Sequence, residues 1–196
     1  MGRVIVIEHL TLDGVMQAPG NREEDPRDGF GHGGWANRGQ DPAMQEVMGA
    51  RMSSTWSLLA GRTTYEQFAD YWPSQEPNPF AEALGRVQKY VASTTLTEPL
   101  VWRNSALLKG DAADAVVRLK GELEENLVVF GSGVLVRSLM PRDLIDEFVL
   151  FIHPLVLGSG RRLFPGSGSD LFAFELVDST TTGTGVVIAT YQPAGG

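Results

Sequence analysis

The chain has no cysteine among its 196 residues. Disulfides, thiolate nucleophiles and zinc–thiolate sites are therefore excluded. Positive charge is also scarce, with 16 Lys and Arg against 24 Asp and Glu and a formal net charge of −8. Nucleic acid and anionic membrane surfaces require a basic face, so neither is an expected partner. A few local arginines would still suffice for one phosphorylated small molecule. Three histidines occur, His9, His32 and His153, without the i, i+4 or paired spacing of a metal site, and no metal is expected. No apolar run approaches the length that spans a bilayer. Val4-Ile5-Val6-Ile7 already reads as a strand, which leaves no room for a secretory leader. A soluble, cytoplasmic protein is the expectation. Two phosphate-binding signatures are missing as well. Val136 stands where a Rossmann G-x-G-x-x-G would place its third glycine, and no Gly-Lys-Ser/Thr occurs for a P-loop. The G-x-S-x-G elbow of serine hydrolases is likewise absent.

What remains is an ordinary globular composition, 42% hydrophobic and 20% charged, and the length suits one domain, 1–196. Apolar runs at 4–7 and 127–130 read as strands buried on both faces, and 56–60 and 89–92 read as further strands. Helices are expected between them. Asp41-Pro42 supplies an N-cap and a first-turn proline, and Met44, Val47, Met48 and Met52 give that helix an apolar face. Thr63 and Glu66 form a capping-box pattern ahead of Tyr65, Phe68 and Trp72. Further helices are expected from Phe80 to about Val87, from Gly110-Asp111 through Leu123, and from Val134 until Pro141. Leu100–Trp102 reads as a short extended piece. After residue 140 the pattern turns to β, with segments at 147–153, 172–178 and 186–192. The expected class is α/β, a mostly parallel sheet between helical layers with antiparallel C-terminal strands. Pro19–Gln40 is a long glycine-rich loop, the kind that more often carries function than filler. Trp35 within it has two readings, stacking on a planar ligand or anchoring the loop to the core.

Three expected strand ends carry groups suited to phosphate: Gly61-Arg62-Thr63-Thr64, Ser93-Thr94-Thr95 and Gly131-Ser132-Gly133. Glycine permits a sharp turn and the close approach of a ligand, and a following helix start attracts anions. Arg62 offers a planar donor for phosphate, or else an ordinary surface ion pair. Ligands of open α/β sheets bind at such strand ends, so a nucleotide seat is expected there. Classical catalytic groups are sparse, which fits a reductase. A bound nicotinamide supplies the hydride, and the protein supplies a shaped pocket.

Taken in order, Thr-Leu-Asp-Gly-Val (11–15), Gly-Arg-Thr-Thr-Tyr-Glu (61–66), Val-Ala-Ser-Thr (91–94), Val-Val-Phe-Gly-Ser-Gly (128–133), Leu-Ile-Asp-Glu-Phe (144–148) and His-Pro-Leu-Val-Leu-Gly-Ser-Gly (153–160) resemble the dihydrofolate-reductase-like superfamily. The closer resemblance is to the branch holding the C-terminal reductase domain of the bifunctional riboflavin-biosynthesis deaminase/reductase. This implies a three-layer α/β/α sandwich of dihydrofolate-reductase type. It also implies NADPH as cofactor, hydride transfer to a small pyrimidine- or pterin-like substrate, and a homodimer. By position, Arg62 would meet the adenosine 2′-phosphate, with Thr63 and Thr64 at the phosphates beside Gly61. Ser93 and Thr94 would border the adenosine. Gly131, Ser132, Gly133, Val134 and Leu135 would hold the pyrophosphate, and Asp13, Gly14 and Val15 would form the loop beside the nicotinamide. The acidic residue facing a pterin would be Glu46, with Asp41 second, and Trp35 would touch substrate. The Pro-Trp that follows the mobile loop in dihydrofolate reductases is absent, so dihydrofolate is not the expected substrate. The alternative is a protein of the same fold that sequesters a nucleotide or small ligand without turnover.

Overall fold

A computed structural model describes residues 2–52, 55–166 and 171–195. Its strands are β1 (Val4–Thr11), β2 (Trp56–Gly61), β3 (Lys89–Ala92), β4 (Ser105–Leu108), β5 (Asn126–Phe130), β6 (Glu147–His153), β7 (Phe174–Thr181) and β8 (Val187–Pro193). The helices are α1 (Pro42–Arg51), α2 (Arg62–Tyr71), α3 (Pro79–Arg86), α4 (Ala112–Glu122) and α5 (Gly133–Leu139). Among the described residues the strands form one eight-stranded sheet in the order β4-β3-β2-β5-β1-β6-β8-β7. The expected α/β class holds. Pairings β2–β3, β3–β4 and β2–β5 are parallel, whereas β6–β8 and β7–β8 are antiparallel. The chain divides into two compact units, Met1–Val6 with Ser54–Ile145 and Ile7–Ser53 with Asp146–Gly196.

The first unit is built on strands buried from both sides. Leu58, Leu59, Ala60, Leu127, Val128 and Val129 are inaccessible, which is why these strands are continuous apolar runs without alternation. α4 starts at Asp111, whose side chain accepts from the Asp114 N–H at 2.9 Å, and it buries Val116 and Leu119. α3 is capped in the same way by Asn78. α2 departs from expectation. Its N-cap is Gly61, in extended conformation and without a side-chain cap, so Thr63 lies inside the helix. Glu66 is drawn instead to Arg62 one turn earlier, at 3.0 Å, and the capping box does not form. The strand beside β3 is Ser105–Leu108, which the sequence reading did not single out, and Leu100–Trp102, read as a short extended piece, belongs to no strand. This β4 has four half-buried residues at the edge of the sheet and shows no alternation of burial.

The second unit holds the remainder of β1, the loop 19–40, α1, and β6 to β8. α1 begins where Asp41 accepts from the Ala43 N–H at 2.9 Å. Its far end is pinned to the sheet by Arg51, which reaches Glu147 on β6 at 2.9 Å and Thr190 on β8 at 3.2 Å. Of the expected methionine face only Met44 is fully buried. The loop 19–40 is ordered by a small core of Val15, Ala18, Phe30, Trp35 and Ala36.

Candidate functional site

In the first unit the three phosphate-friendly strand ends are joined to one another. β5 leaves the sheet through Gly131 and Ser132, both left-handed at φ 60° and 59°. Ser132 Oγ accepts from the Gly61 N–H at 3.0 Å, and the Ser132 N–H donates to Thr64 Oγ1, also at 3.0 Å. The hydroxyls of Ser132 and Thr64 therefore tie the β2 and β5 turns together. A Cβ on Gly131 would lie 3.0 Å from Thr64 Oγ1, so both the positive φ and the close approach favour glycine there. Arg62 lies half exposed, paired to Glu66, and donates to Thr95 Oγ1 at 2.8 Å. Ser93 Oγ in turn accepts from the Thr95 and Leu96 N–H groups at 3.1 and 3.0 Å, which shapes the end of β3. Gly133 and Leu135 are buried in α5, whereas Val134 is exposed beside the turn. Gly61, Arg62, Thr64, Thr95 and Ser132 thus form one connected rim at the C-terminal ends of β2, β3 and β5, with Ser93 shaping it. No side chain caps α2, so the start of that helix presents its N–H groups and its dipole beside the rim, a setting suited to an anion.

The second unit contains Asp13, Gly14, Val15, Trp35, Asp41 and Glu46, and several of these have structural partners. Asp13 accepts from Thr11 Oγ1 at 2.6 Å, from the Leu157 and Gly158 N–H groups at 3.2 and 2.9 Å, and from Arg162 at 3.3 Å. With so many donors, the Thr11 hydroxyl foremost, its carboxyl is held down to about 2. Gly14 adopts φ 77° in open space, and Val15 is fully buried. Trp35 is buried and donates its indole N–H to the Gln17 carbonyl at 2.7 Å, which anchors the loop. Asp41 is occupied twice, as the cap of α1 and as acceptor of the Gly183 N–H at 3.1 Å. Glu46 is exposed on α1.

Two features of this unit escaped the sequence reading. His9 and His153, 144 positions apart, meet at 2.9 Å between Nδ1 and Nε2. Burial pushes His153 down to about 4, and burial with the neighbouring His153 pushes His9 to about 3. The edge of Trp35 packs on His153, and a Cβ on Gly39 would lie 2.6 Å from its Nδ1. The second feature is Glu8, 3% exposed in the middle of β1. Its Oε1 is buried with no hydrogen-bond partner among the described residues. Burial, and then the nearby Glu24, push this carboxyl well above the usual range. A lone acid inside the run Val4–Leu10 was the available signal. The histidine pair had none, because only pairing across the sheet brings the two rings together.

Comparison with known proteins agrees with the architecture. Residues 3–188 match the model of the family described as the RibD C-terminal domain. The YyaP protein of Bacillus subtilis (strain 168), to which no function is assigned, is 25% identical over 194 residues, covering 97% of this chain and 94% of YyaP. A candidate riboflavin biosynthesis protein from Shewanella sp. PV-4 superposes with a TM-score of 0.70 at 22% identity, covering 98% of this chain and 99% of the other. Dihydrofolate reductase from Enterococcus faecalis, in complex with NADP(H) and RAB-propyl, superposes with a TM-score of 0.61 at 14% identity, covering 99% and 98%. At these identities the structural likeness speaks for a shared fold. Among the described residues no helix is long and apolar enough to cross a membrane, and no cluster of three or more His, Asp or Glu could hold a metal. By the family match over nearly its whole length, with a reductase-like fold to accompany it, the chain belongs to the RibD C-terminal domain family.

Proposed function

We propose that this protein is an NADPH-dependent reductase that acts on a small pyrimidine- or pterin-like heterocycle, with the whole chain serving as one domain of a cytoplasmic homodimer. The observation that carries this reading is the connected rim of the first unit. Ser132 and Thr64 lock the β5 and β2 turns together, and α2 starts beside them without a side-chain cap. Gly131, Ser132 and Gly133, with Val134 and Leu135, seat the pyrophosphate, and Gly61, Thr63 and Thr64 flank it. Ser93 and Thr94 border the adenosine, and Arg62 turns from Glu66 to the 2′-phosphate. When bound, NADPH supplies hydride from its nicotinamide. In the second unit Asp13, Gly14 and Val15 form the nicotinamide-side loop, and Trp35 and the acids Glu46 and Asp41 serve the substrate. Titration with NADPH, followed by nicotinamide fluorescence, tests the reading. Saturable binding below hundreds of micromolar is expected, and its absence would end the proposal.

A second reading is ligand sequestration without turnover. It draws on Asp41, whose carboxyl is already committed to two backbone N–H groups, and on Glu46, which is exposed. Binding of NADPH without its oxidation across a panel of pterins, pyrimidinones and dicarbonyls would favour sequestration.

A further inference from the structure

Among Gly61, Arg62, Thr64, Thr95 and Ser132, the rim of the first unit, the cation is Arg62, and two unlike groups hold it. Its Nε donates to both carboxylate oxygens of Glu66, at 3.0 and 3.2 Å, one turn along α2. Its Nη1 donates to Thr95 Oγ1 at 2.8 Å, 33 positions away, just beyond the end of β3. An exposed i, i+4 ion pair alone would be ordinary helix-surface chemistry. The bond to Thr95 differs, because it crosses from the start of α2 to the neighbouring strand end and its acceptor is itself fixed. The Thr95 N–H donates to Ser93 Oγ at 3.1 Å, and the two hydroxyls lie 3.4 Å apart. Arg62 Nη2 has no hydrogen bond among the described residues, and the side chain is 51% exposed. The guanidinium is thus held across the rim with its Nη2 donors uncommitted.

We propose that Thr95 and Glu66 are positioning residues with opposite effects on an adenosine phosphate at Arg62: Thr95 strengthens its binding and Glu66 weakens it. The inference rests on the reductase reading, in which Arg62 meets the 2′-phosphate, and adds what sets the strength of that contact. Thr95 is neutral. Its hydroxyl fixes a long, rotamer-rich side chain before the ligand arrives, which lowers the entropy lost on binding and brings no charge of its own. Glu66 orients Arg62 as well, but its carboxylate already answers the cation and repels a phosphate brought beside it. When the adenosine carries a 2′-hydroxyl instead, Arg62 keeps Glu66 as its partner and no charge is left unpaired. Thr95 therefore widens the preference for a 2′-phosphorylated nucleotide, and Glu66 narrows it.

Adenosine 2′,5′-bisphosphate and 5′-AMP differ only in the 2′-phosphate, and calorimetric titration of each into the full chain reads the contact without turnover. The wild type should bind the bisphosphate more tightly. Thr95→Val should weaken the bisphosphate about three- to tenfold, and Thr95→Ser, which keeps the hydroxyl, should restore wild-type affinity. Glu66→Gln keeps an acceptor for Nε but loses the charge, and should tighten the bisphosphate about two- to fivefold. Affinity for 5′-AMP should be unchanged in every variant, which a general loosening of the rim would not allow. In an Arg62→Ala background Thr95→Val should have no further effect. Shifts of the same sign in Thr95→Val and Glu66→Gln, the absence of either shift, or equal changes for both nucleotides would overturn the proposal. So would a wild type that does not prefer the bisphosphate, even if it binds NADPH. The expected pattern in a protein that fails to bind NADPH would overturn the reductase reading and leave the roles of Thr95 and Glu66 in place.

Discussion

Gly131→Ala tests the junction on which the dinucleotide seat depends. The residue sits at φ 60°, where an alanine costs roughly 1–2 kcal/mol in backbone strain. Its new Cβ would meet Thr64 Oγ1 at 3.0 Å. That oxygen accepts the Ser132 N–H bond, and displacing it forfeits about 1 kcal/mol more. The total is about 2–3 kcal/mol. Gly110→Ala is the control, since Gly110 has φ 84° and open space within 4 Å, so only the strain applies. The expected gap of about 1 kcal/mol corresponds to roughly 2–4 °C in melting temperature for a chain of this size. In a Thr64→Ala background both the crowding and the bond are gone, and Gly131→Ala should then cost no more than Gly110→Ala. Urea titrations of the five proteins measure all these terms. If Gly131→Ala is no worse than Gly110→Ala, or if its excess survives in the Thr64→Ala background, the coupling argued from the two turns is refuted.

Arg62→Ala should weaken NADPH about 5–30-fold and leave NADH nearly unchanged, because a charge-assisted phosphate contact of about 1–2 kcal/mol is lost after allowing for the Glu66 pair; equal weakening in fluorescence titrations would remove Arg62 from the 2′-phosphate. The buried Lys89 donates to the Val87 and Arg103 carbonyls and lies 4.4 Å from the centre of the Trp102 ring. Burial, and then Arg103, bring it down to about 8 from an ordinary 10.5, so the fold favours the neutral amine. Stability should therefore rise between pH 8 and 10.5, and Lys89→Met should abolish that rise in urea titrations. His9 and His153 are likewise held below the ordinary imidazole range by burial. Their contribution is complete above about pH 6.5 and is lost as pH falls toward 4 and then 3. Replacing both by glutamine should flatten that part of the acid-stability curve, and an unchanged slope would show that the pair does not titrate with folding.

The sequence by itself determined the class of fold and the order of its elements. Runs such as Leu58–Ala60 and Leu127–Phe130 are apolar on both faces, which only a strand covered on both sides tolerates, and Asp41 and Asp111 mark helix starts through local chemistry. The glycine turn at 131 was legible for the same reason, since its positive φ is a conformational need written at that residue. Tertiary structure decided what those residues touch. It joined the Thr64 hydroxyl to the Ser132 N–H and set Glu66 against Arg62. It also drew a four-residue edge strand from Ser105–Leu108, where sheet pairing outweighs local preference. It occupied Asp41 with two backbone N–H groups, brought His9 to His153, and left Glu8 Oε1 without a partner among the described residues. These outcomes depend on side chains from distant positions arriving, or failing to arrive, at one point in space, and no local pattern encodes that.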